Sequence, residues 1–193
     1  MRIETLTGAA LTEALDDVAR LRIAVFRDWP YLYDGTLEYE RDYVQAYAQS
    51  NSAIVVGAYD GDWLVGAATA APLAEHADAF SNAFAGTDIN IDTTFYCGES
   101  VLLPRYRGRG IGHAFFDRRE DFARGMGYAR ICFASVVRAP DHPLCPPDYA
   151  PLDPFWNKRG YDRVPGVVAQ FSWKDVDQPA ATEKSLQFWA RDL

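Results

Sequence analysis

The spacing of apolar residues changes along the first part of the chain. From Leu11 to Phe26, and again from Leu37 to Ala48, apolar side chains recur at helical spacing, as in helices that pack by one face. Further on the apolar residues form short runs, and Asp60-Gly61 separates two of them, which is a strong signal for a β-hairpin. The pattern predicts the following elements: a strand at 2–6, helices at 11–26 and 37–48, and strands at 52–59 and 63–70.

The second part of the chain alternates between strand-like and helix-like segments. Residues 72–92 have weak periodicity and are predicted to be irregular or weakly helical. The order of elements predicts an α+β fold (mixed α/β) in a single domain over residues 1–193, because no linker or repeat divides the chain. The later strand–helix–strand unit should join two parallel strands. The predicted elements are a strand at 93–103, a helix at 110–126, a strand at 130–137, a helix at 152–159, and strands at 161–173 and 184–192.

The composition narrows the classes of protein to which the chain can belong. Of its 193 residues, 49% are hydrophobic and 14% are aromatic, which excludes a disordered chain. The net charge of -8 excludes the diffuse basic surface that nucleic-acid binding requires. No apolar run approaches the ~20 residues that span a bilayer, and residues 1–5 lack the apolar stretch that a secretory signal is expected to have. Because the three cysteines lack close spacing, free thiols are favoured over disulfides. We therefore expect a cytoplasmic protein with no nucleic-acid or membrane partner.

A turn rich in glycine and arginine lies between the strand at 93–103 and the helix at 110–126. Glycines at alternate positions let backbone N–H groups converge on one point, and no Cβ keeps a ligand away. The N-terminus of a helix also attracts negative charge. The turn therefore predicts a phosphate or pyrophosphate site, a local positive feature in an acidic chain. Its residues are Arg105, Arg107, Gly108, Arg109, Gly110 and Gly112.

Other phosphate-binding motifs fit this turn less well. The pattern Gly-x-Gly-x-x-Gly is not met, because His113 and Phe115 stand where it needs glycine. A P-loop is not met either, because no Gly-Lys-Ser/Thr follows. Two alternatives stay open at this point. The turn could serve a nucleotide-phosphate binder of unrelated mechanism, or it could be a structural connection with solvated arginines.

Two motifs link the sequence to a known family. Arg107, Gly110 and Gly112 follow the pattern Arg/Gln-x-x-Gly-x-Gly/Ala, and residues 155–161 are similar to Leu/Phe-Tyr-x-Lys-x-Gly-Phe. In these motifs, and in the order of elements over nearly the whole chain, the sequence resembles the GNAT family of N-acyltransferases. The resemblance implies a central mixed, mostly antiparallel twisted sheet of about seven strands. About four helices would flank this sheet, with a V-shaped splay between strands 4 and 5.

The same resemblance implies that acetyl-CoA is the cosubstrate, with its pyrophosphate at the turn and its pantetheine arm in the splay. Backbone groups of Val101 and Leu103 are expected to pair with the arm, and the Val101 N–H is the expected donor to the thioester oxygen. Trp156 stands where the family often has the tyrosine that protonates the departing thiolate, and an indole N–H is no practical proton donor. The expected cofactor-binding residues are Val101, Leu102, Leu103, Arg107, Gly108, Arg109, Gly110, Ile111, Gly112, His113 and Trp156.

Glu99 and Tyr149 are the candidate catalytic residues. Glu99 is the candidate general base, because the family often places an acidic residue on this strand. Its apolar neighbours predict partial desolvation of the carboxylate, and the alternative is a structural carboxylate bonded to a neighbouring element. Tyr149 is the candidate general acid, with Tyr161 or water as alternatives. Cys97 lacks a neighbouring base, so direct attack is favoured over an acyl-enzyme.

The segment at 26–35 holds a dense group of aromatic and acidic side chains between the first two helices. Aromatic faces and carboxylates both favour a cationic amine, and the alternative is core aromatics beside a solvated acidic face. The proline-rich loop at 139–151 is expected to contribute to acceptor specificity. His142 and Cys145 lack a second pair of ligands, so no metal is expected. The expected acceptor-binding residues are Trp29, Tyr31, Tyr33 and Asp34.

These observations predict an N-acetyltransferase that moves an acetyl group from acetyl-CoA to a primary amine by direct attack in a ternary complex. The acceptor would be a small molecule or a peptide amine. The alternative is a non-catalytic acyl-CoA-binding or regulatory module, which Trp156 in place of tyrosine keeps open. The sequence is compatible with a monomer or a homodimer.

Overall fold

The computed structural model describes the backbone of residues 1–193 and every side chain except those of residues 77–79 and 81. Over these residues the chain forms one sheet with flanking helices. The strands are β1 (Arg2–Leu6), β2 (Ile54–Asp60), β3 (Trp63–Pro72), β4 (Thr94–Leu102), β5 (Arg130–Val136), β6 (Asp162–Lys174) and β7 (Ala181–Asp192). The helices are α1 (Gly8–Phe26), α2 (Leu37–Gln49), α3 (Ala77–Phe84), α4 (Ile111–Gly125) and α5 (Asp153–Lys158).

The sheet has the strand order β1-β2-β3-β4-β5-β7-β6. Every neighbouring pair is antiparallel except β4 and β5, which are parallel and are joined through α4. The mixed, mostly antiparallel seven-stranded sheet predicted from the sequence is therefore confirmed, as is the parallel strand–helix–strand unit.

Helices cover both faces of the sheet because each presents an apolar stripe to it. On one face α1 and α2 pack through Val18 and Val44, and on the other α4 packs through Phe115. A third cluster, which includes Phe80 and Phe84, lies under α3 and covers the strands beyond β4. The core of the protein is thus two layers separated by the sheet.

The predicted boundaries agree closely with the observed ones, and the largest difference is α3. It lies in the segment predicted to be irregular or weakly helical, because its 8 residues are fewer than the roughly 11–18 residues over which helical spacing is recognised. Its phenylalanines are buried by tertiary contacts, with the Phe80 and Phe84 rings 5.1 and 4.7 Å from that of Phe188. None of the helices in the described part of the chain is long and apolar enough to span a bilayer.

The two parallel strands at the centre of the sheet separate after four residue pairs. Pairing of β4 with β5 ends at Cys97 and Phe133. Beyond that point β4 stays paired with β3 as far as Leu102, and β5 stays paired with β7 as far as Val136. The predicted V-shaped splay is therefore present, and we call the space between the separated strand ends the β4–β5 gap.

Candidate active site

The turn between β4 and α4 has the backbone geometry that its glycines predict. A single 3-10 turn, Pro104–Tyr106, follows β4. Gly108 and Gly110 have φ angles of 72° and 81°, in the left-handed region that favours glycine, and Gly110 is the N-cap of α4. A Cβ built on either glycine would have no neighbour within 4 Å. The backbone of the turn is therefore open to a ligand.

The backbone N–H groups at this helix start have no acceptor in the chain. The first helical hydrogen bond runs from the Ala114 N–H to the Gly110 carbonyl, at 3.2 Å. Within the described structure, the N–H groups of residues 108–113 donate to no backbone or side-chain acceptor. Unpaired N–H groups on a left-handed turn at a helix N-terminus form an anion-binding concavity. This arrangement fits a pyrophosphate.

Of the arginines in the turn, Arg107 lies at the open end of the β4–β5 gap. Its Nε donates to the carbonyl of Leu102, the last residue of β4, at 3.2 Å. Arg109 instead folds back, donating to the Arg105 carbonyl at 2.9 Å and lying over the Tyr106 ring at 5.4 Å. In this position the Arg109 side chain does not make the contribution to the pyrophosphate site that the sequence predicts.

Helix α5 packs against the start of α4. The Phe155 ring lies 3.6 Å from the position that a Cβ on Gly112 would occupy, which is an ordinary van der Waals distance. The ring centroid of His113 lies 4.9 Å from that of Phe155, and its Nδ1 lies 3.1 Å from Arg159 Nη1. Trp156 packs against Phe133, at a centroid distance of 5.0 Å, beside the point where the strands separate.

The backbone groups of β4 that face the gap differ by one residue from those expected. The Leu103 N–H donates to the Val65 carbonyl of β3, at 3.0 Å. Because peptide groups alternate in direction along a strand, the Val101 N–H also points to β3. The expectation that Val101 and Leu103 pair with a ligand in the gap is therefore wrong. The N–H groups of Ser100 and Leu102 point to the gap instead, and Ser100 is exposed on the central strand of the sheet.

A β-bulge is the reason for this shift. Between paired residues Ala68–Ser100 and Ala70–Cys97, β4 holds one residue more than β3. Such an extra residue changes which side each later peptide group faces. Arg119 of α4 reaches the bulge and donates to the carbonyls of Glu99 and Thr69 at 2.9 and 3.2 Å.

Glu99 lies in the bulge and points toward α1 and α2. Its carboxylate forms an ion pair with Arg22 of α1 and accepts a hydrogen bond from the Tyr43 hydroxyl at 2.9 Å. Arg22 also forms an ion pair with Glu40 of α2, whose side chain is fully buried. The desolvation expected for Glu99 is present, since only 4% of its side chain is exposed, and it is accompanied by an ion pair that the sequence did not predict.

The family of the protein follows from its similarity to known proteins. The model of the acetyltransferase (GNAT) family matches residues 18–146, which include both sides of the β4–β5 gap and the glycine turn. This chain belongs to the GNAT acetyltransferase family. A search of curated proteins found no match.

Solved structures of GNAT acetyltransferases share the fold over the whole chain. An aminoglycoside 6'-N-acetyltransferase complexed with coenzyme A is 17% identical, with a TM-score of 0.64 and coverage of 100% of this chain and 97% of that one. A ribosomal-protein-alanine N-acetyltransferase from Brucella melitensis is 14% identical, with a TM-score of 0.61 and full coverage of both chains. The PaiA N-acetyltransferase from Thermoplasma acidophilum, in complex with coenzyme A, is 12% identical, with a TM-score of 0.54 and full coverage of both chains. At these identities the likeness shows the fold alone.

Several phenols surround Glu99 in this GNAT acetyltransferase. The Tyr43 and Tyr47 hydroxyls lie 3.1 Å apart. Burial and then the Glu99 carboxylate raise the pKa of Tyr31 to about 12, and the same two causes raise the pKa values of Tyr43 and Tyr47. These side chains are neutral donors at physiological pH. They form a polar aromatic wall on the side of the sheet where the acceptor was expected.

The expected acceptor residues do not all lie in this wall. Trp29 contacts the proline-rich loop, with ring centroids 5.2 Å from His142 and 5.8 Å from Tyr149. Burial raises the pKa of Tyr149, and the nearby Asp153 raises it further, so the phenol keeps its proton at neutral pH. Trp29 and Tyr149 are therefore brought together, on the loop side of the site.

Asp34 does not offer a free carboxylate to an amine. Its two oxygens accept from Arg27 at 3.0 Å and Lys174 at 2.7 Å, and both contacts lower its pKa. Burial raises the pKa of Tyr33, and the neighbouring Glu40 raises it further. The expectation that Asp34 holds a cationic substrate is therefore wrong for this side-chain arrangement, because two cations already neutralise it.

Burial argues against two further candidate catalytic residues, Cys97 as a nucleophile and Tyr161 as a general acid. Burial raises the pKa of the Cys97 thiol to about 11, so the thiolate that a covalent mechanism needs is scarce at neutral pH. Tyr161 is completely buried and donates to Glu120 at 3.0 Å, under α4, so the alternative role of Tyr161 as general acid is wrong. The described side chains contain no cluster of three or more potential metal ligands.

Sequence reasoning missed two buried arginines that shape the site. Arg22 lies four residues after Val18 on the buried face of α1, and Arg119 lies four residues after Phe115 on the buried face of α4. A charged residue at an apolar stripe position was the available signal, since arginine is almost never fully buried unless it is paired.

Proposed function

We propose that this GNAT acetyltransferase transfers the acetyl group of acetyl-CoA to a primary amine by direct attack in a ternary complex. The observation that carries the proposal is the joint placement of the β4–β5 gap and the unpaired N–H groups of residues 108–113. The gap offers unpaired strand edges to an extended chain, and the turn offers an anion site at its open end. A pantetheine arm with a terminal pyrophosphate has this shape and charge.

Each part of the site has a role in this reaction. The turn and Arg107 would hold the pyrophosphate, and the peptide groups of Ser100 and Leu102 would pair with the arm. The Ser100 N–H would donate to the thioester oxygen as it becomes an oxyanion, an interaction worth about 3 kcal/mol in comparable sites. Glu99 would accept the proton that the amine loses as its nitrogen bonds the acetyl carbon, through water because the carboxylate is buried.

Breaking the C–S bond then requires a proton for the departing thiolate. Tyr149 remains the candidate, since its phenol is neutral and lies on the loop beside Trp29. Trp156 packs against Phe133 in the aromatic core. Its role would be to shape the wall of the β4–β5 gap, because an indole N–H is no practical proton donor.

A second candidate function is a non-catalytic acyl-CoA-binding module. The ion pair between Glu99 and Arg22, with 4% of the Glu99 side chain exposed, favours it, because a buried carboxylate that is already held by an arginine offers little access to an amine. An assay distinguishes the two functions. It measures the release of free CoA thiol from acetyl-CoA in the presence of each member of a panel of small amines and peptide amino termini. Amine-dependent release supports the enzyme. Binding of acetyl-CoA without release by any amine supports the module.

A further inference from the structure

We infer that Arg119 is a positioning residue that polarises the Glu99–Ser100 peptide group, and so strengthens the Ser100 N–H as the donor to the thioester oxygen. The inference rests on the proposed function. It assigns a role in the reaction to a side chain of α4 that does not face the gap itself.

The surroundings of Arg119 are unusual for an arginine. Its side chain is 1% exposed, and among the described side chains no carboxylate lies within ion-pair distance. A buried charge without a counter-ion is costly unless hydrogen bonds compensate it. Four hydrogen bonds compensate this one, to the carbonyls of Phe115, Thr69 and Glu99 and to the hydroxyl of Ser100, at 3.1, 3.2, 2.9 and 2.8 Å.

The contact with Glu99 falls on one particular peptide group. The carbonyl that accepts from Arg119 belongs to the same peptide unit as the Ser100 N–H. In a trans peptide these two groups point in opposite directions. The Glu99 carbonyl faces β3 and Arg119, so the Ser100 N–H faces the β4–β5 gap, as the pairing of Leu103 with Val65 also requires.

A charged donor on the carbonyl alters the N–H at the other end of the peptide. Hydrogen bonds in a chain polarise one another, and a bond from a guanidinium is stronger than one from a neutral group. The positive charge also lies across this peptide group from the gap, in buried surroundings of low dielectric constant, and would stabilise negative charge that develops at the Ser100 N–H. Arg119 thereby increases the strength of the Ser100 N–H as a donor.

The bulge is the place where this support acts. At an extra residue the β3–β4 ladder is locally disrupted, and the Glu99 and Thr69 carbonyls lie at this irregularity. Arg119 Nη1 satisfies both. Without Arg119 these two carbonyls would lose a charged donor, while the pairing of Ser100 with Ala68 would still hold the Ser100 N–H toward the gap.

The test is isotope-edited infrared spectroscopy of the thioester carbonyl, with acetyl-CoA labelled with carbon-13 at that position. It requires no amine acceptor. The band of bound acetyl-CoA should lie at lower wavenumber than in water, because a strong donor weakens the C=O bond. In Arg119→Met most of this shift should disappear, and in Arg119→Lys, which keeps the charge, part of it should remain. Arg118→Met is the matched control, since Arg118 is the exposed neighbour on α4, and it should match the wild type.

The affinity for acetyl-CoA, measured by calorimetry, should change less than about threefold in Arg119→Met, because the Ser100 N–H remains in place. With an amine found in the screen, kcat should fall roughly tenfold, less than the 10²–10³-fold loss that follows removal of an oxyanion donor. A role confined to stability would lower the melting temperature and leave the carbonyl band unchanged. If circular dichroism shows that the methionine variant does not fold, the neutral Arg119→Gln variant replaces it.

Two results would overturn the inference: an unshifted carbonyl band in the wild type, or a wild-type shift in the folded Met or Gln variant. A different result would contradict the proposed function itself. If the wild type binds no acetyl-CoA, that function is wrong whatever the Arg119 variants show.

Discussion

Arg22 of α1 forms an ion pair with Glu99 of β4, although only 8% and 4% of the two side chains are exposed. The same guanidinium pairs with Glu40 of α2 and lies 4.0 Å from the centre of the Tyr43 ring. Two helices and the central strand are thus connected through one cation. This connection fixes the position of Glu99 and leaves its carboxylate bonded to Arg22 rather than free.

Replacing Arg22 should destabilise the fold strongly. Arg22→Met would leave the carboxylates of Glu40 and Glu99 buried without a counter-ion, and breaking a buried pair in this way costs about 3–5 kcal/mol. The free energy of unfolding, from urea titration, checks this. Arg20→Met is the control, because Arg20 lies on the same helix with 61% of its side chain exposed, and its loss should cost less than about 1 kcal/mol. Equal losses for the two variants would contradict the account.

Glu99 and Glu40 share Arg22 but should differ in their effect on catalysis. Glu99→Gln should lower kcat by about 10²–10⁴-fold with unchanged acetyl-CoA affinity, because it removes the proposed base. Glu40→Gln should lower stability and leave kcat within a few-fold of the wild type, since Glu40 lies on α2 away from the gap. The measurement is thiol release with an active amine. Parallel losses of kcat in both variants would show that the ion pairs of Arg22 with Glu40 and Glu99 have only a structural role.

His76 should make the fold less stable in mild acid. Burial lowers its pKa below the ordinary 6.5 and outweighs Glu75 and Glu99, which raise it. Below about pH 6.5 the unfolded chain therefore binds a proton that the folded chain does not, and the free energy of unfolding falls until the folded pKa is reached. Urea titrations near pH 7 and pH 5 should show a smaller pH effect in His76→Gln than in the wild type. The same pH effect in both would contradict the assignment. Its aromatic neighbours are Tyr47, Phe80 and Tyr96.

Cys97 should be dispensable for the chemistry, in spite of its place at the end of the β4–β5 pairing. Its raised pKa, about 11, leaves little thiolate at neutral pH. Cys97→Ala should therefore keep kcat within about twofold, with kinetics that require both substrates to be bound before product leaves. Trapping of an acetylated protein from acetyl-CoA alone, lost in Cys97→Ala, would instead show a covalent intermediate.

The regular parts of the fold were predictable because their signals are local. Helical spacing placed α1, α2 and α4, and the Asp60-Gly61 turn placed the hairpin of β2 and β3. The glycine turn was also predictable, since left-handed backbone at Gly108 and Gly110 needs a residue without a Cβ. Helix α3 has only 8 residues, too few for its helical spacing to stand out, and it is stabilised by tertiary contacts that short-range patterns do not contain.

The details of the site were less predictable because they depend on register and on long-range pairing. The bulge beside Glu99 reverses the direction of the following peptide groups, so Ser100 rather than Val101 faces the gap. The neutralisation of Asp34 by Lys174 joins residues 140 positions apart. For Arg22 and Arg119, the sequence indicates burial only through their positions on the apolar faces of α1 and α4. It does not indicate which groups they bond to.

The central claim is that the turn before α4 binds the pyrophosphate of acetyl-CoA, and calorimetric titration of acetyl-CoA tests it most directly. The variants are Gly110→Asp, which puts a carboxylate in the open backbone turn, and Gly127→Asp, its control at the other end of the same helix. Their φ angles are 81° and 83°, and neither glycine has a neighbour within 4 Å of an added Cβ, so backbone strain should be similar. The account predicts micromolar binding by the wild type and Gly127→Asp and at least a hundredfold weaker binding by Gly110→Asp, about 2.7 kcal/mol or more. Absence of wild-type binding, or equal binding by all three, would contradict it.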